Sequence, residues 1–275
     1  MMLMMMFVLM PRAQVSAGRI HEVLNSSSDV IDPQTETPTA ETGTVEFRNV
    51  SFGYGKGEEE VLGNISFRAE KGQTVAFIGA TGSGKTTLVN LVPRFYDATA
   101  GEVLVDGVNV KELKQETLRK KIGLVPQKGI LFSGSVKENI AFSDPSIPQE
   151  TIEEAAKIAE ADPFIREMPE GYDSPISQGG KNVSGGQKQR LCIARAIATG
   201  AEILIFDDSF SALDYKTDRK VRENLAEYAK GTTKLIVAQR IGTIMDADLI
   251  VVLDEGKAVG MGKHNDLLRD CPVYR

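Results

Sequence analysis

A strand-like run, TVAFI at 74–78, leads without a break into GATGSGKTT at 79–87 and then into LVNLV at 88–92. The middle segment fits G-x-x-x-x-G-K-[ST], with Gly79, Gly84, Lys85 and Thr86 in register. The glycines, among them Gly82 beside Thr81 and Ser83, let successive backbone N–H groups converge on phosphate oxygens. Lys85 then reaches the β- and γ-phosphates, Thr86 offers its hydroxyl to a magnesium ion, and Thr87 continues the turn. The helix that opens here presents its positive end to the same phosphates. A strand in front and a helix behind are the context that separates a phosphate loop from a chance cluster of glycines.

A triphosphate held in this way needs a carboxylate on its magnesium, delivered by another buried strand. ILIFD at 203–207 provides one, because four apolar residues carry Asp207 to the sheet edge where ligands bind in open α/β sheets. The residue that follows, Asp208, is a second acid and a candidate base. No Asn-Lys-x-Asp stretch occurs to select guanine, so the identity of the base stays open at this point.

Around these motifs VEFRNVSF (45–52) alternates like a strand, while TKLIVA (233–238) and LIVVL (249–253) read as buried strands. Helical stretches at 184–199 and 217–230 intervene. This order predicts an α/β domain, a P-loop core with a mostly parallel sheet, beginning near Thr44. The formal charge of −6 gives no field to attract nucleic acid, which is not an expected partner. Cys192, Cys271, His21 and His264 are isolated from one another and form no zinc-ligand spacing.

The first ten residues, MMLMMMFVLM, are apolar throughout, but a bilayer-spanning helix needs about 20 such residues. They are expected to be the end of a longer membrane helix, with 1–24 its remnant and junction. Residues 25–43, rich in Ser, Thr, Pro and acids, are expected to be a flexible linker, and 44–275 the nucleotide-binding domain.

NVSGGQKQRLCIARAIA (182–198) adds a second anion-binding helix start. Ser184 can cap a helix on which Leu191, Ala194 and Ala198 recur at helical spacing, with Gly185 and Gly186 exposing N–H groups in its first turn. The whole string closely resembles the signature motif of ATP-binding cassette (ABC) transporters, a likeness that covers residues 44 to 270 or so. It implies the ABC ATPase fold, in which an antiparallel β subdomain and a helical subdomain carrying the signature flank the P-loop core. It also implies ATP as nucleotide and Mg2+ as metal, with Thr86, Gln127 and Asp207 at the ion.

Other positions follow from the same resemblance. Tyr54 in VSFGY is similar to the aromatic residue that stacks on adenine, and Gln127 in GLVPQ to the glutamine that contacts magnesium and couples to the membrane part. SALD, ending in Asp214, looks like the loop that crosses to the other subunit. LFSGSVKENIAF (131–142) resembles exporter-type members, in which permease and ATPase are fused. The chain would then be an excised cytoplasmic domain of an inner or plasma membrane protein, its own transmembrane domain mostly absent. Two such domains would face head to tail, so that Ser184, Gly185, Gly186 and Gln187 serve the partner's ATP.

Members of the family that hydrolyse ATP efficiently carry glutamate after the magnesium aspartate, and histidine in the segment that here reads LIVAQRIGTI. This chain has Asp208 and Gln239 there. Aspartate is one methylene shorter, and an amide cannot become a cation near the γ-phosphate. The expectation is a heterodimer with a second half-transporter, in which this chain's own site, with Asp208, Gln239 and Gln127 in catalytic positions, is degenerate and slow. A symmetric homodimer with modest activity at both sites and a purely ATP-gated regulatory half are the alternatives. A soluble ABC ATPase of DNA repair or translation is disfavoured by the acidic balance and the apolar N-terminal run.

Overall fold

The computed structural model describes residues 2–26, 28–55 and 59–275. Met1 of the expected remnant and Ser27 of the expected linker lie outside the described residues. Helix α1 (Met2–Leu24) forms a unit of its own with the residues up to Ile31, and it continues through Pro11. Among the described residues no helix is long and apolar enough to cross a membrane.

The second unit spans Asp32–Arg275. Its first half contains β1 (Val45–Phe52), β2 (Leu62–Ala69), β3 (Thr74–Gly79), α2 (Lys85–Leu91), β4 (Ala100–Val105), β5 (Val108–Asn109), α3 (Gln115–Lys120) and β6 (Ile122–Val125). A helical segment follows, with β7 (Gly134–Ser135), α4 (Val136–Ile140), α5 (Gln149–Ile158), α6 (Asp162–Glu167), β8 (Pro175–Ile176) and α7 (Gly185–Ala198). The chain then completes the core with β9 (Ile203–Asp207), α8 (Tyr215–Tyr228), β10 (Thr233–Val237), α9 (Ile241–Ile244), β11 (Leu249–Asp254), β12 (Lys257–Gly262) and α10 (His264–Asp270).

The central six-stranded sheet has the order β12-β11-β3-β10-β9-β6. Its strands pair in parallel from β11 to β6, and only β12 runs antiparallel, at the edge. Parallel strands are covered on both faces, which is why their sequences are continuous apolar runs. Alternate residues feed two separate cores. Val75, Phe77, Ile203, Ile205, Leu235 and Val237 pack on the side that holds α2 and α3. Ala76, Leu204, Phe206 and Ile236 pack on the opposite side, against residues of α5, α7 and α8. The four-stranded sheet β2-β1-β4-β5, antiparallel throughout, closes over the first core through Phe47, Val50 and Phe67.

Residues 32–43 form no helix or strand, yet they are tied to the domain. Lys114 at the start of α3 provides no side-chain cap. Asp32 instead accepts from the Gln115 backbone N–H at 3.0 Å and Glu36 from that of Lys114 at 3.2 Å, so the preceding segment caps the helix. Glu41 accepts from Arg68 at 2.9 Å and from the Thr44 hydroxyl at 2.7 Å, where β1 is about to begin.

Candidate functional site

Strand β3 brings the chain to Gly79 at the end of the parallel sheet, and the loop 79–84 turns it into α2. Gly84 takes φ 92°, and a Cβ there would stand 2.6 Å from Leu62 Cδ2 and 3.1 Å from Val61 O, so glycine is required by conformation and space together. No side chain caps α2, which leaves its first N–H groups for a ligand. Lys85 Nζ donates to Gly79 O at 2.8 Å, Ala80 O at 2.7 Å and Ser83 Oγ at 3.2 Å, folding the loop around the ammonium. Burial pushes the Lys85 pKa down, while Asp208 and Asp207 pull it back up. The cationic group is thus held at the centre of the loop and can exchange loop acceptors for phosphate oxygens.

Thr86 Oγ1 donates to Asp207 Oδ1 at 2.8 Å, bringing together two residues 121 positions apart. Asp207 and Asp208 are each only 6% exposed. Burial drives the Asp207 pKa upward, the Asp208 charge adds to the rise, and the Thr86 hydroxyl opposes it. Two adjacent buried carboxylates beside a hydroxyl fit a hard divalent cation such as Mg2+, and Thr86 and Asp207 are the pair that would hold it. Among the described residues no group of three or more His, Cys, Asp and Glu side chains could hold a metal, so an ion here would be completed by phosphate oxygens and water.

Asp208 follows β9 with φ 46°, a left-handed conformation that aspartate tolerates better than most residues. Its N–H donates to Val237 O at 3.0 Å, and its carbonyl accepts from Ser211 Oγ at 2.7 Å. The side chain is equally constrained. Its Oδ2 accepts from Gln239 Nε2 at 2.8 Å and from Gln127 Nε2 at 3.1 Å. The three residues that the sequence placed in catalytic positions therefore meet on one carboxylate oxygen.

Tyr54 donates or accepts a 2.8 Å hydrogen bond with Thr87 Oγ1 in the first turn of α2. Its ring meets Phe52 edge to face at 4.9 Å and remains 51% exposed. Gly82, Thr81, Gly84, Lys85, Thr86, Thr87, Gln127, Asp208 and Gln239 line one cleft. Val61 and Val237 line it too. The sequence reading passed over these two, although Val237 stands only two residues before Gln239 at the end of a recognised strand.

The signature residues are outside that cleft. Ser184 caps α7 in a reciprocal capping box, its hydroxyl accepting from Gln187 N–H at 3.2 Å while Gln187 Oε1 accepts from Ser184 N–H at 2.9 Å. Gly185 has open space where a Cβ would stand, and at Gly186 the neighbour is Ala212 O at 3.5 Å. Asp214 caps α8 by accepting from Thr217 N–H at 3.0 Å, and the Thr217 hydroxyl and backbone hydrogen bonds hold its carboxyl below the ordinary range. Gln189, buried in α7, donates to Pro126 O at 3.0 Å and so links the signature helix to the loop that carries Gln127. Its signal in the sequence is faint: it is flanked by Lys188 and Arg190, and only its spacing of three and four residues to Cys192 and Ile193 puts it on the buried side of the helix.

A parallel sheet with a phosphate loop at the end of β3, a buried acid at the end of β9 and a capped glycine helix alongside defines a P-loop nucleotide-binding domain. A family model described as "ABC transporter" matches residues 62–211, and the chain belongs to that family. An uncharacterized ABC transporter ATP-binding protein of Mycobacterium tuberculosis is 44% identical over 98% of this chain and 47% of its own length. A similarly named protein of Bacillus subtilis is 42% identical, also over 98% of this chain and 47% of its own. A Staphylococcus aureus protein, provisionally named a multidrug export ATP-binding/permease protein, is 46% identical over 84% of this chain and 40% of its own. The structure of a bacterial Atm1-family ABC exporter with ATP bound superposes with a TM-score of 0.90 at 35% identity, covering 99% of this chain and 48% of that one. The chain therefore spans about half the length of the relatives it matches. Its domain is an ABC ATP-binding domain homologous to those of ABC exporters.

Proposed function

We propose that this chain is the ATP-driven cytoplasmic part of a membrane exporter, pairing head to tail with the corresponding part of a second half-transporter and moving the attached transmembrane domains. Lys85 and the N–H groups of 79–87 bind the triphosphate, Thr86 and Asp207 hold Mg2+, and Tyr54 packs on adenine. The ion, when bound there, would supply positive charge that offsets the charge of the phosphates. Asp208 is the residue placed to orient water, and Ser184 with Gly185, Gly186 and Gln187 closes over the partner's ATP, aided by the loop that ends in Asp214.

The own site turns over slowly in this reading, and the partner's is the faster one. The observation that carries it is the double amide contact on Asp208 Oδ2. A short carboxylate engaged by two neutral donors is withdrawn from the γ-phosphate and has fewer free lone pairs for water. Support for the export setting comes from the relatives, one provisionally named a multidrug export ATP-binding/permease protein and one an ABC exporter, each of which this chain covers by about half or less.

The test is a comparison in the complete transporter. Ser184→Ala is expected to lower steady-state ATP hydrolysis by tenfold or more, on the order of a lost transition-state donor, and Asp208→Ala by less than about threefold, on the order of 0.6 kcal/mol. Equal losses from the two variants would favour a symmetric dimer.

A further inference from the structure

Tyr96 lies in the segment after α2, 42 positions beyond Tyr54, and its ring meets the Tyr54 ring edge to face at 5.2 Å with planes at 90°. Phe52 completes a three-ring cluster, 4.9 Å from Tyr54 and 5.6 Å from Tyr96. Phe52 is buried, whereas Tyr54 and Tyr96 are 51% and 41% exposed. Tyr54 is therefore fixed at one end by its hydroxyl on Thr87 and along its ring by two perpendicular aromatic neighbours.

The segment that carries Tyr96 is itself held firmly. Arg94 takes φ 55° and is buried, its guanidinium gripping Asp97 through Nε to Oδ1 at 2.8 Å and Nη2 to Oδ2 at 3.2 Å. Arg119 of α3 donates to Pro93 O at 3.1 Å and Arg94 O at 3.2 Å, and its guanidinium lies over the Phe95 ring at 5.3 Å. A bidentate ion pair and a second arginine thus present a half-exposed tyrosine to the residue that would receive the base.

We infer that Tyr96 is a positioning residue for base recognition: it holds the Tyr54 ring in the orientation that stacks on adenine, without touching the phosphates. The inference rests on the proposed placing of adenine at Tyr54. Without Tyr96 the Tyr54 ring keeps its hydroxyl anchor but can rotate about it, so part of the stacking is lost on binding to reordering. Edge-to-face aromatic pairs are worth enough to change affinity about three- to tenfold.

The experiment measures binding of Mg·ATP and of Mg·tripolyphosphate, which has no base, to the full chain. Tyr96→Ala is expected to weaken ATP about three- to tenfold and leave tripolyphosphate unchanged, while Tyr96→Phe, which keeps the ring, stays within about twofold of the parent for both. Tyr96→Leu makes the same comparison should the alanine variant fail to fold. Equal weakening of ATP and tripolyphosphate would overturn the inference, since Tyr96 would then act on the phosphate loop. So would an unchanged ATP affinity in Tyr96→Ala alongside a loss in Tyr54→Ala, with the placing of the base at Tyr54 left standing. No loss in Tyr54→Ala would overturn that placing, and the inference with it.

Discussion

Replacing Asp208 by glutamate and Gln239 by histidine in one variant tests the slow-site reading at its physical origin. The extra methylene extends the acid by about 1.5 Å, one carbon–carbon bond. A misplacement of about 1 Å in a reacting group can cost about 100-fold, or about 2.7 kcal/mol of barrier. The second change removes the amide 2.8 Å from Asp208 Oδ2 and installs an imidazole that can carry charge beside the γ-phosphate. Gln127, at 3.1 Å, remains to steady the longer acid. Together they are expected to raise turnover at this site by about 10- to 100-fold, with ATP affinity moving less than about threefold because the phosphate loop is untouched. Gln239→His alone should give less than about a threefold gain, the acid being still too short. The assay is phosphate release at saturating Mg·ATP by the complete transporter, its partner's own phosphate loop inactivated so that only the Lys85 site turns over. A double variant that binds ATP normally yet gains less than twofold would refute the argument from reach and charge.

Two further outcomes follow from the geometry. Lys85→Ala removes a cation held by three loop acceptors and should abolish the rise in melting temperature that Mg·ATP gives the parent; an undiminished rise would exclude Lys85 from the phosphate site. The Asp214 carboxyl is held below its ordinary value of 3.8 by the Thr217 hydroxyl and N–H, so its capping contribution is fully present above 3.8 and lost as pH falls through the lower folded value. Urea melts of Asp214→Ala and the parent should therefore differ by a constant amount from pH 7 to about 4 and converge below it.

The strand boundaries show why so much of the fold was legible. VEFRNVSF and ILIFD coincide with β1 and β9, because alternation and continuous apolar runs report directly whether one face or both are covered. Ser184 was recognisable as a cap because capping is a contact across three residues. The segment 32–43 shows the opposite case: its acids and prolines carry no periodicity, and only the position of α3 turns Asp32 and Glu36 into helix caps.

The sequence by itself determined the glycine loop, the strands that flank it, the acid that ends β9 and the capped helix α7, since each is a contiguous string whose backbone geometry is set by near neighbours. The tertiary structure decided which side chains share an atom. Gln127 is 81 positions from Asp208 and Gln239 is 31, and Tyr54 is 33 from Thr87. Contacts at those separations depend on strand order and on the turn taken after each strand. A string of residues does not encode them locally, so the double hold on Asp208 and the aromatic support of Tyr54 exist only once the sheet has formed.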